Sequence, residues 1–513
     1  MDIVKYTFID SYVNEGDGMP KEEKESCCVL QLRLYPEPWQ VQIIETRFKV
    51  LEHLKNSLIA LELRKLRNLE RTRAYREIQE QIKLADDKSK IKLYAKRRKL
   101  LKDAGFSEFV FKDDITPMQK HFAAHIATHV AHRAASEVWR AFDKFLFGNG
   151  KMVHYVRRGT LRSASNQTAG TTMTLENDYF KWKGGRDKNS IAINIRVAKP
   201  TTYYEKEMLQ KKAKYFRIVR KWGKIGYKYY LQITLAGLPA VKPRLIANEK
   251  KVGIDIGSSS IAIVSDKKVE LRALADKVQN NHIEKCSLQR SMDRSRRNLN
   301  PQNYNEDGTI RRGIRLNWTF SKHYIEMRGK VRMLERKNAD IRKYQHTCLA
   351  NEVISLGTDV YIEQMSFKGL QRRAKETTYR EDGRPKRKKR FGKSIANRAP
   401  AMFVEILGRK LTTIVGTELN KVDTFKFRAS QYDHTNGSYK KKLLKERWAQ
   451  LSNGDRIQRD LYSAFLLKNS NADLNSTNVE QCNATYDAFK IMHDDCITKL
   501  KSEKKSCLPS FGV

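Results

Sequence analysis

Three acidic residues stand where acids are costly. Asp255 interrupts the apolar run Val252-Gly-Ile-Asp-Ile-Gly257, Glu363 closes the run Asp359-Val-Tyr-Ile-Glu363, and Asp460 opens the segment Arg459-Asp-Leu-Tyr-Ser-Ala-Phe-Leu-Leu467. A carboxylate among apolar residues is expensive to bury unless a partner or a metal ion holds it. Three of them gathered at one place suit two Mg²⁺ ions about 3.5–4 Å apart, one activating water and the other stabilising a leaving 3′ oxygen. Without metal, such a cluster repels itself and is partly protonated. Plainer roles exist for two of the three. Asp460 could complement a helix dipole, and Glu363 could face solvent at a strand end. Asp255 is the hardest to explain away. Asp494 and Asp495 lie in a polar C-terminal helix with no apolar strand leading into it, and are set aside as the third acid.

The elements that must position these acids are partly legible. Residues 252–274 read as strand, turn, strand, turn, strand, with Asp255 in the first. Gly-Ile-Asp-Ile-Gly-Ser-Ser also opens actin-like ATPases, which need a second Asp-x-Gly turn. The only candidates, Glu306-Asp307-Gly308 and Glu381-Asp382-Gly383, sit in polar basic loops, so that reading fails. An RNase H-type arrangement fits better, with one acid on the first strand, one near the end of the fourth and one on a late helix. Residues 359–363 make the fourth strand and 422–427 a fifth. A helix starts at Arg459 with Asp460 in its first turn. The acids then converge at one end of a sheet.

Upstream, Cys27–Tyr35 reads as a strand stopped by Pro36 and Pro38. From Trp39 to about Phe147 the period is helical, with Phe48, Leu51, Leu54, Leu58 and Leu61 on one face. Lys and Arg fill the other faces, which suits a solvated surface or a nucleic-acid backbone, and the overall charge favours the second. His121, His125, His129 and His132 fall close to one helical face. No carboxylate accompanies them, so they are read as packing or nucleic-acid contacts in preference to a metal site. From about Lys151 to Lys242 the period becomes two, as in a small β-barrel split from its first strand by the helical insertion. Pro239 to Pro243 form a linker.

The 513 residues carry 101 Lys+Arg against 58 Asp+Glu, a formal net charge of +43. That excess points to a polyanion that releases counterions on binding, and away from an enzyme of small neutral molecules. At 40% hydrophobic the chain can bury real cores, which excludes a disordered polycation. The seven cysteines are scattered with no Cys-x-x-Cys, so no disulfide framework or thiolate zinc site is readable. Neither a membrane span nor a signal peptide is recognisable, and the expected location is cytoplasmic, at a bacterial nucleoid.

Gly253-Ile-Asp-Ile-Gly-Ser-Ser-Ser-Ile-Ala-Ile-Val-Ser-Asp266, Tyr361-Ile-Glu-Gln-Met-Ser-Phe-Lys-Gly-Leu-Gln-Arg-Arg373, and Ser430-Gln431 leading to the helix from Arg459 together resemble the TnpB family. These are transposon-encoded RNA-guided nucleases related to compact type V CRISPR effectors. The resemblance covers residues 246–470. It implies that Asp255, Glu363 and Asp460 are the RuvC-type catalytic acids and Mg²⁺ ligands, and that the cofactors are two Mg²⁺ ions and a guide RNA. Members usually carry a four-cysteine zinc finger before the last acid. Here Asp433 and Asn436 stand at the first pair of positions, and Gln450 and Asn453 near the second. These side chains cannot replace thiolates as a structural zinc site, so no zinc is expected.

The fold class implied is a multidomain α+β chain. The first part of a wedge barrel spans 1–38, a helical recognition lobe 39–148 and the rest of the wedge 149–245. A RuvC-like α/β nuclease domain spans 246–428, with a basic helical insertion at 285–350 and a basic lid at 369–398. A degenerate zinc-finger, target-loading segment covers 429–455, and the end of the nuclease domain with a tail covers 456–513. In the insertion, Tyr324, Met327, Val331, Leu334 and Ile341 form a core-facing stripe, with Arg and Lys left for guide RNA or heteroduplex. Residues 372–393 hold eleven Lys/Arg against three acids. By the resemblance this is a lid beside the site, and Arg372, Arg373, Arg387, Lys388, Lys389 and Arg390 are the expected nucleic-acid contacts, in preference to a flexible solvated loop. A nuclear import signal at 385–390 is the less favoured reading of that run.

The function expected is an RNA-guided, Mg²⁺-dependent DNA endonuclease acting on double-stranded target DNA and its displaced strand, without membrane partners. The alternatives are an RNA-guided repressor, which would lose one or more acids, and a transposase acting without RNA, which would need a DNA-reading domain at its N-terminus.

Overall fold

The computed structural model describes residues 26–148, 150–223, 226–240, 250–379, 381–385, 391–441, 446–502, 508 and 511–512. Two compact units result, Met1–Ala240 and Val241–Val513.

The first unit begins with β1 (Cys27–Tyr35). The helical layer follows as α1 (Pro38–Glu70), α2 (Arg73–Leu84), α3 (Asp87–Asp103), α4 (Glu108–Lys120) and α5 (Thr128–Phe147). Then come β2 (Ser163–Ser165), β3 (Met173–Glu176), β4 (Tyr179–Lys183), β5 (Ala192–Val197), α6 (Tyr203–Leu209), β6 (Ala213–Trp222) and β7 (Tyr227–Ala236). All seven strands join one antiparallel sheet in the order β2-β6-β7-β1-β5-β4-β3. β1 therefore lies mid-sheet, although five helices separate it in sequence from its neighbours. No ladder among the described residues closes β2 onto β3.

Phe48, Leu51, Leu54 and Leu58 of α1 are buried, as their spacing requires, and Leu61 is half-buried. Arg47 is buried with them. It donates to the carbonyls of Trp182 (3.0 Å) and Ile191 (2.5 Å) and lies 4.5 Å from the Trp182 ring centroid. That guanidinium holds the helix to the sheet through these carbonyls.

The histidine stripe does not form one helical face. α4 stops at Lys120 and α5 starts at Thr128, so His121 and His125 fall in the connection between them. The connection is drawn onto the β-layer instead: Gly185 N donates to the Ala123 carbonyl (2.6 Å) and Ile191 N to that of Ala124 (3.0 Å). The Gln119 side chain closes the bend on the Ile126 carbonyl at 2.6 Å. His132 bonds Thr116 Oγ1 at 3.0 Å.

The second unit opens with the meander β8 (Lys251–Ile256), β9 (Ser260–Val264) and β10 (Val269–Ala273). Two long helices follow, α7 (His282–Leu299) and α8 (Lys322–Leu356), then β11 (Asp359–Glu363), α9 (Phe367–Leu370), α10 (Gly392–Arg398), α11 (Pro400–Lys410) and β12 (Asn420–Val422). The remainder is α12 (Thr424–Phe427), the short strands β13 (Tyr432–Asp433), β14 (Ser438–Tyr439), β15 (Trp448–Gln450) and β16 (Arg456–Gln458), then α13 (Arg459–Lys468) and α14 (Val479–Ser502).

The main sheet runs β10-β9-β8-β11-β12. The meander is antiparallel, whereas β11 and β12 run parallel to β8. Helices cover both faces, the usual condition for a sheet with parallel strands. Val252, Ile254 and Ile256 pack with Leu349 and Val353 of α8 and Phe403 and Leu407 of α11. Ala262, Tyr361 and Val422 pack on the other face with Leu461, Ala464 and Phe465 of α13 and Phe489 of α14.

The fifth strand differs from the sequence reading of 422–427. It occupies Asn420–Val422, because Asp423 Oδ1 accepts from Phe425 N (2.8 Å) and turns the chain into α12. An aspartate that caps a turn wins over the β-propensity of the two phenylalanines that follow. In α8, Met327 is buried, while Tyr324, Val331, Leu334 and Ile341 are half-buried.

Candidate active site

Side chains alternate along a strand, so Gly253 and Asp255 share the face of β8 that α13 covers. Tyr361 and Glu363 share the same face of β11. The register pairs Tyr361 with Gly253 and Ile362 with Ile254, which sets Glu363 beside Asp255 at the next step. Neighbouring strands lie about 4.8 Å apart. Two residues more than a hundred positions apart in sequence are thereby placed side by side at the carboxyl ends of parallel strands.

Gly253 decides how the third acid arrives. A Cβ there would lie 2.0 Å from the Ala464 carbonyl oxygen and 2.5 Å from Lys468 N, both backbone atoms of α13. Only glycine lets the helix lie so close on β8. The glycine of the Gly-Ile-Asp-Ile-Gly motif thus serves helix-on-strand packing. At the junction into α13, Gln458 Oε1 accepts from Leu461 N (2.8 Å) and Gln458 N donates to His493 Nε2 (3.0 Å). Asp460 is then presented from the first turn, close enough to Asp255 to act on its ionisation.

The electrostatics are those of crowded acids. Burial holds the Asp255 carboxyl well above the usual range; the charges of Asp460 and Glu363 push it further up, and Arg459 opposes them. Burial pushes Glu363 up to about 7. Both side chains keep partial access to solvent at the rim. Among the described residues neither Asp255 nor Glu363 accepts a hydrogen bond. Asp359, at the other end of β11, is satisfied by Tyr361 Oη (2.9 Å) and Asn420 Nδ2 (2.7 Å). The contrast separates a structural acid from two held without a hydrogen-bond donor.

Asp460 Oδ1 accepts from Arg459 Nη2 (3.3 Å) and Nε (3.4 Å), and Arg459 Nη1 also reaches the Glu446 carbonyl (3.1 Å). As placed, no three Asp, Glu, His or Cys side chains among the described residues are arranged as ligands of one ion. The donor set still fits Mg²⁺ in kind: hard oxygen ligands, excess negative charge and two carboxylates with no donor of their own. Arg459 was not singled out from sequence, although its place beside Asp460 was the available signal.

The basic segment that follows Glu363 is anchored at its two ends. It leaves through α9 just after Glu363 and ends at α10, where Ser394 Oγ donates to the Ser258 carbonyl at 3.2 Å, three residues past Asp255. Arg372 and Arg373 are exposed. Arg387, Lys388, Lys389 and Arg390 lie outside the described residues.

Residues 432–439 and 448–458 form two small hairpins, β13–β14 and β15–β16. Hydrogen bonds join them at the positions where the family resemblance leads one to look for thiolates. Asp433 Oδ2 accepts from Ser452 N and Oγ (both 2.9 Å), and Asn436 Nδ2 donates to Ser452 Oγ (2.6 Å). Gln450 Nε2 donates to the Gly454 carbonyl (2.9 Å) and Asn453 Nδ2 to Asp455 Oδ2 (2.7 Å). Beneath them, burial lowers the pKa of His434, and its Nδ1 pairs with Tyr462 Oη of α13 at 2.7 Å. Ser452 was missed from sequence because nothing local marks it. Asp494 pairs with Lys490 at 2.5 Å and with His493 Nδ1 at 2.8 Å on α14.

No protein-family model matches the chain, and no curated protein matches it either. Two solved structures are similar to it. A Cas12f1-sgRNA-target DNA complex determined by cryo-EM is 13% identical, with 88% of this chain and 99% of that chain covered and a TM-score of 0.41. A CRISPR-Cas12f ternary complex is 14% identical over 86% of this chain and 83% of that one, with a TM-score of 0.26. At these scores neither likeness carries a functional argument. No helix among the described residues is long and apolar enough to cross a membrane.

Proposed function

We propose that this chain is an RNA-guided DNA endonuclease whose cutting site is Asp255, Glu363 and Asp460. The observation that carries the reading is the side-by-side placement of Asp255 and Glu363, without donors, under a helix that delivers Asp460. Bound divalent ions would supply charge neutralisation and an activated water at neutral pH. Asp255 and Glu363 supply fixed oxygen ligands from two rigid strands, and Asp460 adds a third from a helix terminus. Arg459 neutralises Asp460 and is close enough to meet a phosphate once that pairing opens. Arg372 and Arg373, exposed nine and ten residues past Glu363, would meet a single strand there. Guide pairing in place of protein side chains would read sequence. The net charge and the TnpB-like motifs support the RNA and DNA partners.

The deciding experiment purifies the chain without nuclease treatment, sequences the RNA that accompanies it and tests cleavage of DNA complementary to that RNA with Mg²⁺. Guided cleavage is expected. A defined bound RNA with no cutting by the wild type would favour a guided repressor, and absence of RNA with cutting would favour a transposase.

The hairpin pair is expected to hold well under one zinc per chain by elemental analysis. EDTA should stop cleavage only until Mg²⁺ is returned. Stoichiometric zinc that resists EDTA would overturn the hydrogen-bonded reading of 432–458.

A further inference from the structure

Phe425 is 91% exposed, which few phenylalanines are in a folded protein, and its neighbour Phe427 is buried in the core beneath. The turn that presents Phe425 is built with care. Asp423 Oδ1 accepts from Phe425 N, and Thr424 Oγ1 donates to the Gln364 carbonyl at 3.2 Å. Gln364 N in turn donates to the Val422 carbonyl (2.8 Å), and Val422 is the register partner of Glu363. The turn that carries the ring is therefore tied by hydrogen bonds to the residue directly after Glu363, at the carboxyl ends of β11 and β12. Ligands of sheets with parallel strands bind at that end.

The surroundings name the ligand. Lys421, Lys426 and Arg428 are exposed on the same short segment. Arg428 lies over the Tyr439 ring at 4.2 Å, and Tyr439 packs on Tyr432 at 4.8 Å. A bare aromatic face among cations is poorly suited to an apolar protein partner. It matches a nucleic-acid strand, whose bases stack on aromatic rings while its phosphates meet Lys and Arg.

We infer that Phe425 is a base-stacking residue that holds one unpaired base of the single strand entering the site. The inference rests on the nuclease reading for its purpose, but not for its measurement. Phe425 touches a base and not the reacting atoms, so it positions the strand.

The test uses the full chain with its copurified RNA and a Glu363→Gln change, which leaves single-strand binding measurable without cutting. Single-stranded DNA oligonucleotides carrying 2-aminopurine at successive positions are titrated in. One position should be quenched on binding, and Phe425→Ala should abolish that quench and weaken affinity roughly tenfold, within the range for loss of one base–aromatic stack. Phe425→Trp should retain both, whereas Phe425→Leu, apolar but without a π face, should behave like alanine. Wild-type affinity in the leucine variant would overturn the proposal. So would a change of oligomeric state with no change in quenching, which would make Phe425 a contact between copies. If these signals hold but the wild type never cuts DNA, the nuclease reading fails and the stacking site stands.

Discussion

Glu363→Gln should lower Mg²⁺-dependent DNA cleavage by about a thousandfold or more, a loss of the size seen when one group that stabilises the transition-state charge is removed. Glutamine keeps the shape but cannot supply the anionic oxygen that holds a divalent ion between two strands. Guided DNA binding should stay within about threefold of wild type, because a side chain half-hidden at the sheet's end makes few phosphate contacts compared with the chain's many cations. Asp255→Asn should be as severe, since β11 and β8 contribute equivalent positions. Asp460→Asn should also abolish cutting, and Arg459→Ala should lower it less. Single-turnover cleavage across a Mg²⁺ titration, beside an electrophoretic binding assay, checks all four. Unchanged cutting in Glu363→Gln, or loss of binding together with cutting, would remove the site from Asp255 and Glu363.

The same change should stabilise the metal-free protein, in a direction set by its ionisation. Glu363 titrates near 7 in the fold against 4.5 for an ordinary glutamate. The folded state thus prefers the protonated form. Its contribution is fully present below about pH 4.5 and is lost as pH rises through 7. Full burial would make the loss about 3 kcal/mol, and the partial solvent access at the rim trims it to roughly 1–3 kcal/mol. Asp255 shifts in the same direction and adds to it. In EDTA, the stability of wild type relative to Glu363→Gln should fall between about pH 5 and pH 8, with a Tm difference of a few degrees at the upper end. Added Mg²⁺ should erase the difference by binding the ionised pair. Acids with lowered pKa, such as Glu352 beside Lys268 and Arg272, act in the opposite direction and affect both proteins alike. A Tm difference that is flat across this range would show that Glu363 is not held against its charge.

What could be known from the chain alone was what local pattern encodes. Alternation located β1, the 252–274 meander and the strand 359–363, and the apolar run after Arg459 located α13 with Asp460 in its first turn. The acids stood out because a carboxylate inside an apolar strand conflicts with its neighbours wherever the strand is placed. The missing thiolates were equally plain, since their absence is a matter of composition.

Tertiary structure decided the rest. That Glu363 lies beside Asp255 follows from the pairing of β11 with β8, a non-local choice made by two helical layers burying opposite faces of one sheet. The clearance at Gly253 exists only because α13 lies against it. The histidine spacing promised one helical face, but backbone bonds from the β-layer to Ala123 and Ala124 outweighed helical continuity. The fifth strand ended early because Asp423 capped a turn, and that turn put Phe425 into solvent just past the end of β12. Ser452 became the clip between two hairpins because folding brought it to Asp433. Periodicity reports the faces of an element, and only the packing of elements reports which faces meet.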